Sequence, residues 1–335
     1  MKANGKLKYS LSLGIVAMEG RGFEYPSDTV LASNDRIYVT NKSRDYGERG
    51  VRITVLNKQS DYFGTFGHYG FNDGNLVSPS GITEDLNGLL HVTDDYTNSV
   101  TTFDKDGSFI RKWGNEGQSR GELNGPSRIT TNKKGQLLIS DTKNHRIQIF
   151  SETGEFISTF GSYGTGEGNL ILPWGINVNK KGCIQIADWG NSRIQEFSPE
   201  GEYMRKYDCS DTKEGCLNHP SDVASDEDGY IYITDWGNEC LKVLNPEGNL
   251  VYTSRGESTL SKWASEFLET NLEESKSRQE ANLEDENIIS KFSDPHSVSA
   301  HIEKYFWSPV AITIGHDEDI YITESNRHRI QIFTK

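Results

Sequence analysis

Six prolines divide the chain at regular intervals. Pro26, Pro79, Pro126, Pro173, Pro220 and Pro309 are separated by 53, 47, 47, 47 and 89 residues. Each opens the same pattern: an apolar run, a glycine turn, a second run ending in a polar residue, a tight turn and a third run. The stretch PWGINVNKKGCIQIADWGNSRIQEFSPEGEYMRKY from Pro173 carries the whole unit. Short strands broken by turns form an antiparallel meander. One meander cannot bury both of its faces, so the unit must stack on its own copies. Three spacings of 47 residues match a four-stranded blade plus its connection. The six units predict an all-β chain, a single six-bladed β-propeller over residues 1–335.

The second strands read IYVTN (37–41), HVTDD (91–95), LISDT (138–142), QIADW (185–189), YITDW (232–236) and YITES (321–325). The sixth unit stops after its third strand, RIQIF, near Lys335. An open sheet edge invites pairing with other chains. The N-terminal LKYSLSLG (7–14) is a strand without a unit, so it is expected to supply the missing outer strand of the last blade.

The long interval holds an insertion over 255–306, between blades five and six. Leu260, Trp263, Ala264, Phe267 and Leu268 fall at helical spacing. A polar acidic stretch follows over 273–286. A second helix is expected after Asp294 or Ser293 as cap, with Pro295 in its first turn and Val298, Ile302, Tyr305 and Phe306 as its apolar stripe. The insertion joins the ring on the edge of the leading prolines, called the top face below. It is either a hairpin packed outside blades five and six or a lid over the channel mouth. Removing 258–305 is expected to leave a folded ring.

The segment PSRITTNKKGQLLISDTKNHRIQIFSETGEFISTFG (126–161) resembles the NHL-repeat family, down to the NHR at Asn144 to Arg146. The resemblance runs from Pro26 to Lys335, apart from the insertion. It implies a six-bladed NHL propeller. Such propellers serve as RNA readers, protein-interaction platforms, sensor ectodomains and a metal-dependent lyase, so the fold does not choose a function.

Net charge narrows the choice. The chain carries −14 at neutral pH, which argues against nucleic acid as a partner. No apolar run approaches a membrane span of roughly 18 residues. The N-terminal lysines precede an apolar stretch broken by Ser10, Ser12 and Gly14, read as a strand rather than a signal, so the expected compartment is cytoplasmic. The four cysteines are expected to be structural thiols, with Cys209 and Cys216 bridged only in an oxidising compartment.

Three groups of residues could carry chemistry. An Asp ending strand two can pair with an Arg opening strand three: Asp141 with Arg146, Asp188 with Arg193, Glu324 with Arg329. Blades two and five keep Asp94 and Asp235 but align Val100 and Cys240 with the Arg, which would leave two carboxylates for a ligand. Aromatics gather at top-face positions: Tyr25, Tyr96, Trp174, Trp189, Trp236 and Trp307. Rings beside free carboxylates suit a cationic or amphipathic ligand. At the channel rim, two residues after each proline, lie Asp28, Gly81, Arg128, Gly175, Asp222 and Ala311, with His219 just before Pro220.

Asp28, Arg128, His219 and Asp222 form the candidate catalytic set, able to orient a polar substrate and move a proton. No cofactor is predicted, although Asp28 and Asp222 offer oxygen ligands for a divalent metal such as calcium. The lyase branch of the family relies on channel histidines, and here only His219 matches that place. The expected function is binding of a small molecule, protein or peptide at the top face, without catalysis. The alternative is a hydrolase or lyase at the channel mouth.

Overall fold

Each blade grows from local turn chemistry. In blade three Gly135 has φ +75°, a conformation that strains other residues. Its N–H donates to Asn132 O at 2.9 Å. Asn132 Oδ1 accepts from the N–H groups of Lys134 and Gln136. That turn sets the register of the inner strand Pro126–Thr131 against Leu137–Asp141. The third strand pairs from Leu137↔Phe150 to Asp141↔Arg146.

The computed structural model describes residues 7–43, 48–208, 216–285 and 287–335. Six four-stranded antiparallel sheets make up the β-structure. They form a six-bladed β-propeller whose inner strands begin at the six prolines. The cores lie between blades. Leu138, Ile147 and Ile149 of blade three pack with Ile176, Ile184, Ile186 and Phe197 of blade four. Leu170, from the connection between them, is fully buried in the same cluster. The strand Lys8–Leu13 pairs with Arg329–Thr334 and completes the sixth sheet.

The insertion forms α1 (Lys262–Thr270), α2 (Leu272–Glu280), α3 (Asn287–Lys291) and α4 (Pro295–His301). Ser261 caps α1, its Oγ accepting from Ala264 N. Trp263 is 1% exposed, among Leu13, Phe23, Ile37, Leu56 and Ile330. Its indole N–H donates to Ser60 O at 2.7 Å. α1 is therefore part of the seam between blades six and one, a place that neither sequence alternative, a hairpin outside blades five and six or a lid over the channel mouth, gave it. α4 is capped by Asp294 and sits against the blade-five turn Trp236–Asn238. No helix among the described residues is long and apolar enough to cross a membrane.

Cys183 and Cys240 are buried free thiols. Cys216 is disulfide-bonded, so the expectation of four thiols fails there. Cys209 lies outside the described residues.

Candidate functional site

The channel residues follow an alternation that the repeat dictates. Blades one, three and five contribute Asp28, Arg128 and Asp222; blades two, four and six contribute Gly81, Gly175 and Ala311. A Cβ on Gly81 would lie 2.9 Å from the Arg128 Cα, and one on Gly175 would strike Asp222. The small residues thus make room for the charged ones.

Arg128 spans the channel. Its Nη1 donates to Ser27 O at 2.8 Å and Ser80 O at 2.9 Å, and its Nη2 to Val310 O at 2.6 Å. Its Nε lies 3.3 Å from Asp222, and its Nη1 lies 3.3 Å from Asp28. Each carboxylate also staples two blades: Asp28 accepts from Ile82 N and Asp222 from Ile312 N. Burial pushes Asp28 up to about 6, against the pull of Arg128, and raises Asp222 as well. Arg128 lies between a cavity of about 190 Å³ on the top side and one of about 240 Å³ below.

His219 does not join this set. Its ring lies 4.3 Å from that of Trp189, and its Nδ1 pairs with Asn218. The four residues proposed together from the sequence therefore divide into a buried triad and a top-face histidine.

The strand-two acids are all engaged. Asp141 meets Arg146 and Asp188 meets Arg193, each at 2.7 Å, and Glu324 meets Arg329 at 2.6 Å. Asp235 is not a free carboxylate: Lys242 reaches it at 2.9 Å. Lys242 stands where blades three, four and six carry Gln148, Gln195 and Gln331, so the cation has moved two residues along the strand. Asp94 faces Ser99 in register, not Val100, and accepts from the N–H groups of Val77, Ser78, Tyr96 and Thr97. Both acids are fully buried. Neither is available to a ligand, which corrects the expectation for blades two and five.

The aromatics divide as well. Trp174, Trp189, Trp236, His296 and Trp307 form one arc, with successive centroids 5.6, 6.2, 6.5 and 5.7 Å apart. The four tryptophans are half-buried and span blades four to six. The Arg327 guanidinium caps the far end, 5.2 Å over Trp307. Trp174 at the near end lines the channel-mouth cavity with Lys42, Asp95 and Arg128. Tyr25 and Tyr96 stand apart. Tyr25 packs on His328 at 4.6 Å, and the exposed Tyr96 faces Phe71.

Two sets of residues escaped the sequence argument, although both have a signal in it. Serine follows four of the leading prolines, and its hydroxyl donates to the next blade: Ser27 to Pro79 O, Ser80 to Pro126 O, Ser221 to Pro309 O, Ser127 to Trp174 O. The second set sits in the left-handed conformation before strand three: Asn98, His145, Ser192, Glu239 and His328. Each side chain accepts the N–H just before the next blade's proline, on Gly125, Leu172, His219, Ser308 and Tyr25. The first four recur every 47 residues. The Lys42–Asp95 pair at 2.5 Å was also unforeseen, since it joins blades one and two at the rim.

No curated protein matches the chain. Among solved structures, one titled streptogramin B lyase superposes with a TM-score of 0.58 at 14% identity, covering 100% of this chain and 99% of that one. A catalytically inactive virginiamycin B lyase from Staphylococcus aureus with quinupristin has the same score and identity, covering 98% of this chain and 100% of that one. A protein of unknown function from Bacteroides thetaiotaomicron reaches 0.59 at 17% identity, over 99% of this chain and 73% of that one. At such identities the likeness is one of fold. An NHL-repeat model matches residues 306–333, and a model described as a 6-bladed beta-propeller matches residues 118–295, more than half of the chain. The chain belongs to the 6-bladed beta-propeller family.

Proposed function

We propose that this NHL-type propeller binds a small amphipathic ligand or a partner segment across its top face, without catalysis. The supporting observation is the arc from Trp174 to Trp307, whose half-exposed rings lead into the channel-mouth cavity. Partly exposed rings beside a concave polar pocket offer apolar area together with orienting groups. The carboxylates expected to reinforce the arc are consumed within the fold, so the rings carry the binding.

The enzyme alternative has less support. Asp28, Arg128 and Asp222 satisfy one another and their neighbours' backbones, and His219 lies apart. The channel carboxylates do not suit calcium, because Arg128 lies between the two that would hold it. The disulfide at Cys216 favours an oxidising compartment over the cytoplasm expected from the sequence.

The test is a random-peptide selection on the intact protein, followed by titration of the recovered peptide against Trp189→Ala with Trp236→Ala. Affinity should fall about 10-fold or more, as for aromatic anchors at interface centres. Unchanged affinity in a folded double variant sinks the aromatic reading. In parallel, quinupristin is incubated with protein and calcium or magnesium and followed by mass spectrometry. A product that separates from quinupristin on chromatography, isomeric with it for a ring-opening elimination or heavier by one water for hydrolysis, would favour the enzyme.

A further inference from the structure

The insertion enters the aromatic arc through His296. His296, in α4, lies between Trp307 and Glu239. The indole N–H of Trp307 can only donate, and it points at His296 Nε2 from 2.9 Å. Nε2 is therefore an acceptor, which puts the ring proton on Nδ1. Nδ1–H in turn donates to Glu239 Oε1. The other oxygen, Oε2, accepts from Ser308 N at 2.7 Å. Three donors thus face three acceptors, and the network is complete with a neutral imidazole and an ionised carboxylate.

A further proton on His296 Nε2 would face the Trp307 N–H, which can only donate, and that bond would break. A protonated Glu239 oxygen keeps a lone pair and can go on accepting from the His296 Nδ1–H or the Ser308 N–H. Glu239 is fully buried and latches blade five to blade six through a backbone amide. The bond to half-exposed Trp307 is the one that can open without moving a blade.

We propose that His296 is a positioning residue of the top-face site: its neutral, Glu239-oriented ring fixes Trp307 as the end plate of the arc, so the insertion couples protonation to binding. The proposal rests on the reading of the arc as the binding surface. Only the coupling to binding depends on that reading; the positioning of Trp307 can be observed without any ligand.

The charges around the pair are identifiable. Burial pushes Glu239 up to about 7, against the pull of His296 and of the Ser308 amide, and Glu324, from the second strand of blade six, adds to the rise. Asp294, at the cap of α4, interacts with His296. Arg327, from the turn before the last strand, lies over Trp307 and donates to the carbonyls of Ser299 and Ile302. Arg255, at the start of the insertion, donates to Pro295 O and Ser299 Oγ. These bonds keep α4 docked when the Trp307 bond opens, so a side chain responds rather than the helix.

The experiment follows the indole ¹H–¹⁵N resonances of the full chain from pH 5 to 9, with Trp307→Phe to assign Trp307. The Trp307 resonance should shift upfield as the pH falls, through a single step, because a proton on His296 Nε2 opens its hydrogen bond. In His296→Gln the step should vanish, and the other indoles should keep their positions. A Trp307 resonance that does not move, or moves identically in His296→Gln, overturns the proposal. If His296→Gln unfolds, the His296 ring ¹⁵N resonances of the parent protein serve instead: a ring that keeps the same protonation state through the Trp307 step overturns the proposal. A peptide recovered in the selection then separates the two claims. If Trp307 titrates but the peptide's affinity is the same at pH 6 and pH 8, the positioning holds and the coupling to binding is overturned, while the Trp189→Ala with Trp236→Ala titration separately decides whether the arc is the binding surface. Affinity that falls several-fold with the Trp307 step supports both.

Discussion

At the scale of single residues, one position does the same work with different chemistry in different blades. The left-handed residue before strand three latches the next blade through Asn98, His145, Ser192, Glu239 or His328. All that the position needs is an acceptor on a short side chain. Its consequences differ, because only some of these acceptors titrate. Burial lowers His328 to about 4, so its Nδ1 stays free to accept from Tyr25 N. The unfolded chain protonates this residue near pH 6.5. Between about pH 6.5 and 4 the unfolded state therefore binds a proton that the folded state refuses. Stability is lost as pH falls through that window. Asp28 and Glu239 have raised values and act in the opposite sense, so the effect must be read as a difference. His328→Asn keeps an acceptor, as Asn98 does, and removes the titration. Its urea midpoint relative to the parent should rise progressively as pH falls from 6.5 to 4 and stay level above 7. A pH-independent offset would contradict this account of the latch.

At the scale of elements, the insertion behaves as two devices. α4 carries His296 into the tryptophan arc, whereas α1 holds the ring's seam. Trp263 is enclosed by blades six and one and donates to Ser60 O. Trp263→Ala should destabilise the protein by about 3–5 kcal/mol, the range for emptying a large buried aromatic site. Phe267, 43% exposed on the same helix, should cost under about 1 kcal/mol when changed to alanine. Urea unfolding of the two variants checks the pair, and equal small losses would detach α1 from the core. The sequence made this helix legible, since Trp263, Ala264 and Phe267 fall at helical spacing. It did not make its partner legible, because periodicity identifies an apolar face and not what covers it. The strands show the same division. Turn glycines and apolar alternation made the blades readable. The off-by-one at Ser99 came from aligning motifs without the register that pairing imposes. Lys242 was missed because an ion pair requires only that the charges meet, and a cation can reach Asp235 from two strand positions. The Lys42–Asp95 pair and the tryptophan arc join residues far apart in sequence, so only the ring brings them together.

At the scale of the whole molecule, the ring depends on a closure made by both ends of the chain. The last blade takes its outer strand from Lys8–Leu13, paired from Lys8↔Thr334 to Leu13↔Ile330. Ser261 donates to Gly14 O, and Thr259 bonds Tyr9, so the insertion is fastened to that strand as well. Closure therefore joins three distant segments: the N-terminal strand, the insertion and the last strand. In a chain of repeats, stability is shared between neighbours, and a lost closure is felt at both blades that flank it. Deleting residues 1–13 should expose the edge of Arg329–Thr334, remove Leu13 from the core around Trp263 and lower the melting temperature by several degrees. The bare edge should also recruit other chains, seen as higher-mass species in light scattering. A synthetic peptide with the sequence of residues 7–14 should restore both monomer and melting temperature, because it can add back as the missing strand. A truncated protein that stays monomeric with an unchanged melting temperature would mean that the ring is held by its inner strands, and by the Arg128 contacts across the channel, rather than by its closure.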